Sequence, residues 1–300
     1  MISFFDLHCD TLLKAFLSNY SLSCSPLHIS LDKCSIFKRY FQVMAIWTEE
    51  HLSNLDGYIQ YKKVIEYAKK ERIAFRRNLN NSDDFSFFLS IEDLRIIGND
   101  LSRLNGLYSD GVRFASLFWK GTNQFGGAWD TDLGLSNFGI DVLIRMLELG
   151  IIPDISHSSA KSTQCILELC DIYKKSPLAS HSNLFSACNH KRNISNEHFK
   201  ELIRLGGILG VSLCPEHLSN KGFAAIDDVL RHIDAFLCLG GENNVCFGCD
   251  FDGVSELPLK IRNIMDISKI HLKLTDLYGE AIANKIFFNN AYSFMNKNLA

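Results

Sequence analysis

The chain has 300 residues, 47% hydrophobic and 22% charged, close to the globular average. That composition excludes a disordered, collagen-like or acidic-tail protein. Lys+Arg 31 against Asp+Glu 34 leaves a net charge of −3, which gives no electrostatic reason to expect a nucleic-acid partner.

Residues 1–5 are apolar, but Asp6, His8 and Asp10 interrupt them at once. A signal peptide needs a basic start and a longer apolar stretch, so a cytoplasmic protein is expected. The uncharged run at 205–214 falls far short of the roughly 20 apolar residues of a membrane span, so no membrane partner is expected. The ten cysteines are scattered and read as reduced, mostly buried thiols. Cys246 and Cys249 form the one C-x-x-C, but in a strand-like run residues three apart face opposite ways.

Short apolar runs alternate with helical patterns along the chain. The predicted strands are 2–7, 41–47, 85–91, 111–117, 151–156, 177–180, 207–213 and 244–248. Between them, Leu143, Met146 and Leu147 share a helical face that stops at Gly150. Phe199, Leu202 and Ile203 repeat the pattern up to Gly206, as do Val229, Ile233, Phe236 and Leu237 up to Gly240. Residues 78–84 read as a surface loop, 120–137 show no clear helix at their start, and two helices at 266–277 and 279–296 complete the chain. Eight strands alternating with helices predict an α/β fold, a (β/α)8 TIM barrel forming a single domain over 1–300.

Metal-binding residue types recur where these strands end. His8 and Asp10 follow strand one, Glu92 strand three, His157 strand five, His181 strand six and Asp250 strand eight. Barrel active sites are built at that end. His8 and Asp10 are two apart and share a side of an extended chain; the structural alternative is Asp10 as N-cap of a helix starting at Thr11. Taken with Glu92, His157 and His181, the pattern predicts a metal site. The donor set suits Zn²⁺, with Mn²⁺, Co²⁺ and Fe²⁺ left open. Five ligands exceed one tetrahedral zinc, so two ions are expected, with Glu92 as the bridge. Arg192 either belongs to a solvated basic loop before a helix capped by Ser195 or grips a substrate carboxylate. Asp250 is read as a proton carrier or amine binder, with a buried structural network as the alternative. His190, His198, His217, His232 and His271 fall on helices or loops and are read as ordinary surface or core histidines.

Seven segments together resemble the renal (membrane) dipeptidase family of zinc peptidases, among the amidohydrolase-like barrels. They are 6–10 (DLHCD), 111–117 (GVRFASL), 134–139 (GLSNFG), 153–158 (PDISHS), 179–183 (ASHSN), 189–193 (NHKRN) and 248–253 (GCDFDG). The resemblance implies that His8 and Asp10 hold a first ion, Glu92 bridges, and His157 and His181 hold the second. It implies that Arg192 binds the substrate carboxylate and that Asp250 lies near the substrate's amino group. The implied activity is a metal-dependent dipeptidase in which a metal-bridging hydroxide attacks dipeptides, including those with a D-residue at the second position. Another amide or lactam hydrolase, or an inactive small-peptide-binding barrel, is the alternative, and a homodimer is compatible with this reading. Two positions depart from the family pattern. The family is glycine-rich after the glutamate, whereas residues 91–94 read Ile-Glu-Asp-Leu. Trp119 stands where the renal enzyme has a substrate-contacting histidine, so that contact does not carry over. Trp119 either walls the pocket or is a packed rim aromatic.

Overall fold

A computed structural model describes residues 1–79 and 84–299 of the chain; part of the loop expected at 78–84 lies outside them. The eight strands are β1 (Ser3–Cys9), β2 (Arg39–Trp47), β3 (Phe85–Glu92), β4 (Val112–Ser116), β5 (Ile152–Asp154), β6 (Leu178–Ala179), β7 (Ile208–Val211) and β8 (Val245–Phe247). Every neighbouring pair is parallel, and β8 pairs back onto β1 to close the barrel. The expected architecture is therefore present strand for strand.

The helices between strands start and stop as their sequences dictate. Ser136, Ser159 and Ser195 each accept a backbone N–H of the first turn of the helices Asn137–Leu149, Ala160–Ile172 and Asn196–Arg204. Gly150 ends the first of these at φ 81°, a conformation that glycine reaches without a Cβ penalty.

One region is irregular where no helix was expected at its start, and one helix differs from its expectation. After β4 the chain makes a small antiparallel pair, Thr122–Asn123 with Gly126–Gly127, in place of an immediate helix. It folds so tightly that a Cβ on Gly126 would stand 2.2 Å from the Gly134 carbonyl oxygen. The C-terminal helix expected over 279–296 is broken by a π-helical turn, Lys285–Asn289, between Glu280–Asn284 and Asn290–Asn298. That wider turn carries Ile286, Phe287 and Phe288, all three buried. Phe287 packs on Phe4 and Phe247, and Phe288 on Phe5 and Phe41, closing the N-terminal end of the barrel.

Strand β1 carries a bulge where it approaches the other end. Asp6 pairs with Gln42 and Cys9 with Met44, so two residues, Leu7 and His8, stand opposite one, Val43. Strict alternation inward from Phe5 and Leu7 would turn residue 8 out of the barrel. The extra residue re-aims it.

Candidate metal centre

The five expected ligands converge at the C-terminal end of the strands, all buried. Glu92, the last residue of β3, presents its two oxygens to different groups. Oε2 lies 3.5 Å from His8 Nε2, which is itself 3.4 Å from Asp10 Oδ2. Oε1 lies 2.6 Å from His157 Nε2 and 3.6 Å from His181 Nε2. Asp250 closes the first group, with Oδ1 3.8 Å from His8 Nε2. The sequence reading of His8 and Asp10 as a same-side pair holds, through the bulge. Asp10 does sit at the N-cap of the helix Thr11–Ser18, but its side chain makes no cap hydrogen bond and is free for the cavity.

This donor set fits cations. His8 Nε2 is buried with no hydrogen-bond partner, while three carboxylates stand within 3.8 Å of it. Burial works against the charged form of Glu92, yet His8 and His157 beside it hold the carboxylate well below its usual range. Burial, with the neighbouring Asp10 and Glu92 charges against only His8 and Arg192, pushes Asp250 well up. Burial, helped by the Arg192 charge, likewise lowers His157 and His181, against the pull of Glu92 on His157; that direction favours the neutral imidazole, the form that ligates metal.

The ring orientations are fixed from behind, and here the structure adds residues that the motifs did not single out. The Trp119 carbonyl accepts from His157 Nδ1 at 2.8 Å, leaving Nε2 to face Glu92. Asp154, at the end of β5, accepts from the Ser180 hydroxyl at 2.5 Å, and that hydroxyl accepts from His181 Nδ1 at 2.8 Å. Asp154 also takes the backbone N–H groups of Ser156 and Ser180, which ties β5 to β6. Asp6 binds the N–H groups of His8 and Cys249 and joins β1 to the end of β8; burial raises its pKa to about 6.

Arg192 reaches in from the loop after β6. The residue is 5% exposed, and its guanidinium donates from one amino group to His181 Nε2 at 2.8 Å and from the other to the Ser182 hydroxyl at 3.3 Å. The loop is therefore no solvated basic turn. The cavity above the centre has a volume of about 360 Å³. Arg192, Asp250 and Trp119 line it together with Trp47, Trp129 and His217. The Trp119 ring packs on Trp47, with centroids 4.9 Å apart. His217 corrects the sequence reading of an ordinary histidine: it lines the cavity and packs on His190, ring centroids 4.8 Å apart. Gly253, in the loop after β8, has no room for a side chain, since a Cβ there would stand 2.3 Å from both Asp10 Oδ2 and Asp250 Oδ1.

Other expectations resolve simply. Cys246 and Cys249 are buried in different layers, and all ten cysteines are free thiols. Among the described residues no helix is long and apolar enough to cross a membrane.

Comparison with known proteins matches residues 2–298 to the family described as membrane dipeptidase, peptidase family M19. An uncharacterized dipeptidase of Schizosaccharomyces pombe is 30% identical over 215 residues, 69% of this chain and 49% of that protein. The dipeptidase aclJ of Aspergillus oryzae is 31% identical over 204 residues, 66% of this chain and 47% of that protein. The matched part thus spans about half the length of these two relatives. Among solved structures, a metallopeptidase of Rhodobacter sphaeroides, liganded with a phosphinate mimic of the dipeptide L-Ala-D-Ala, superposes with a TM-score of 0.88. It is 20% identical, with 99% of each chain covered, and so shows the shared fold.

Proposed function

The chain belongs to the membrane dipeptidase family, peptidase family M19, and on that premise we propose that it is a dinuclear, metal-dependent dipeptidase. The observation that carries this reading is the division of Glu92: one oxygen faces His8 and Asp10, the other His157 and His181. His8 and Asp10 would hold one divalent ion, His157 and His181 the other, and Glu92 would bridge them. Zinc suits the nitrogen-rich set best. When bound, the ions would supply the Lewis acidity that makes water a stronger nucleophile and polarises the scissile carbonyl.

The chain's own residues do the rest. Arg192 swings a buried guanidinium from His181 onto the substrate carboxylate and so measures a length of two residues. Asp250, with a raised pKa, takes a proton and passes it to the leaving amine. Trp119 and Trp47 wall the cavity against the substrate's side chains and keep water out. A D-residue at the second position is part of the proposal; support comes from the L-Ala-D-Ala mimic bound by the structural relative. The protein is proposed to work in the cytoplasm.

The test is turnover of a dipeptide panel by metal-reconstituted protein, with elemental analysis alongside. About two equivalents of metal, cleavage abolished by chelator and restored by Zn²⁺, and no cleavage of C-terminally amidated dipeptides are expected. Less than one equivalent with no chelator effect would overturn the dinuclear reading. Equal cleavage of amidated and free dipeptides would overturn the role of Arg192.

A further inference from the structure

A single hydroxyl lies beneath both halves of the metal centre. Ser180 follows β6, and its Oγ stands 2.8 Å from His181 Nδ1 and 3.5 Å from His8 Nδ1, although β1 and β6 are not neighbours in the barrel. The two rings pack against each other there, with centroids 3.8 Å apart. His8 is buried, and Ser180 Oγ is the one partner of its Nδ1 among the described residues. The partners fix the proton positions. Arg192 can only donate, so His181 Nε2 accepts from it and the proton of that ring sits on Nδ1, towards Ser180. His8 turns Nε2 to the carboxylates of Asp10 and Glu92; ligation through that atom leaves its proton on Nδ1. Ser180 then accepts from both rings, for which a hydroxyl has two lone pairs and one proton to place elsewhere.

Asp154 sets the direction of that proton. Its buried carboxylate accepts three donors. Oδ1 takes the backbone N–H groups of Ser156 and Ser180, both at 2.9 Å, and Oδ2 takes the Ser180 hydroxyl at 2.5 Å. With its proton committed to Asp154, Ser180 turns its lone pairs to the histidines. The Ser156 hydroxyl, 3.2 Å away, is a further neighbour, and it already accepts the His181 backbone N–H at 3.0 Å. We propose that Ser180, locked by Asp154, is a positioning residue for both ions at once. It holds one histidine of each site in the tautomer and orientation that ligate. This role rests on the dinuclear reading, with His8 on one ion and His181 on the other. A group behind one ring is felt at one ion; a group behind both rings is felt at both.

Titration of the full chain with Zn²⁺, in competition with a chromophoric chelator, gives two dissociation constants. Asp10→Asn, which removes a ligand of one ion, shows which constant belongs to the His8 site. Ser180→Ala should raise both constants at least about tenfold. Asp154→Asn nearly keeps the shape but puts an NH2 donor where an oxygen accepts. With that donor on Ser180, the hydroxyl proton turns onto a histidine Nδ1, and both constants should rise in the same way. Ser180→Thr keeps the hydroxyl and should leave both near the parent values. If Asp154→Asn does not fold, because it unties β5 from β6, the two Ser180 variants carry the test. Weakening of one ion alone in Ser180→Ala overturns the proposal and leaves the dinuclear reading standing, as does weakening of neither. Fewer than two ions in the parent overturns the dinuclear reading and this role with it. Equal loss in Ser180→Ala and Ser180→Thr, with Asp154→Asn unaffected, assigns the effect to packing and overturns the role of the hydroxyl.

Discussion

At the N-terminal end of the barrel each strand turns an apolar side chain inward: Phe5, Phe41, Phe88 and Phe114 from β1–β4, then Ile152, Leu178, Ile208 and Cys246 from β5–β8. A few residues further along, the same strands or the turns after them deliver His8, Glu92, His157, His181 and Asp250. The lower layer is apolar and sealed by Phe288 and Met295 of the C-terminal helix. The upper layer is buried as deeply, but it concentrates carboxylates whose desolvation costs free energy unless something pairs with them. One end therefore holds the barrel shut, and the other holds charge in place. Substitutions at the two ends should separate stability from activity.

The largest effect is expected at Glu92. Glu92→Gln keeps the shape but replaces a two-oxygen bridge by an amide, a poor partner for two cations. Dipeptide turnover should fall by about 1,000-fold, and elemental analysis should show loss of at least one ion. The metal-free variant should unfold near the temperature of the metal-free parent, because the upper layer adds stability through what it binds. If Glu92→Gln retained two ions and parental activity, the bridge would be refuted. Gly253→Ala tests the same layer sterically. The new methyl group pushes Asp10 and Asp250 apart, and a shift of about 1 Å costs about 100-fold in rate; unchanged kinetics would mean that the loop yields.

Phe41→Ala is the counterpart at the lower end. Removing a fully buried ring should cost about 3–5 kcal/mol of stability, read as a fall in urea midpoint, while kcat at a temperature where the variant is folded stays within about threefold of the parent. A large loss of kcat in fully folded, metal-loaded Phe41→Ala would show that the two ends are coupled.

Much of the upper layer was legible because its residue types are rare in cores. Histidine and acidic residues at strand ends stand out against the apolar runs before them, and eight such runs were enough to read a barrel. What periodicity cannot show is where alternation breaks. The bulge that turns His8 inward depends on its pairing with β2, and the π-helical turn that buries Phe287 beside Phe288 depends on what packs against it. The Asp154–Ser180–His181 chain and the His157–Trp119 contact involve a short polar side chain and a backbone carbonyl, which leave no spacing signature. His217 went unrecognised for the same reason, since only the fold brings the loop after β7 over the cavity.

Arg192→Ala asks whether the upper layer also measures the substrate. With its positive charge gone, a substrate carboxylate in the cavity loses about 1–3 kcal/mol, roughly five- to 150-fold in kcat/KM. Metal content should be unchanged. The discrimination between free and amidated dipeptides should vanish, and persistence of that preference in Arg192→Ala would assign it elsewhere.

The smallest effect is expected at Trp119, where backbone and side chain do different work. Its carbonyl orients His157 whatever the side chain, so both Trp119→Phe and Trp119→His should keep their metal. Its ring packs on Trp47 and faces the cavity, where indole can donate one hydrogen bond but cannot accept one or take up a proton. Phenylalanine keeps the apolar wall and loses the donor; histidine adds a polar contact and thins the wall. The rank order of dipeptides should therefore change in opposite senses, with apolar side chains favoured by Trp119→Phe over Trp119→His, by roughly threefold to tenfold in kcat/KM. The pH profile for any one substrate should keep its shape in Trp119→Phe, because no proton passes through position 119. If both variants matched the parent on every dipeptide, Trp119 would serve the centre through its carbonyl alone, and the cavity's preference would have to come from Trp47, Trp129 and His217.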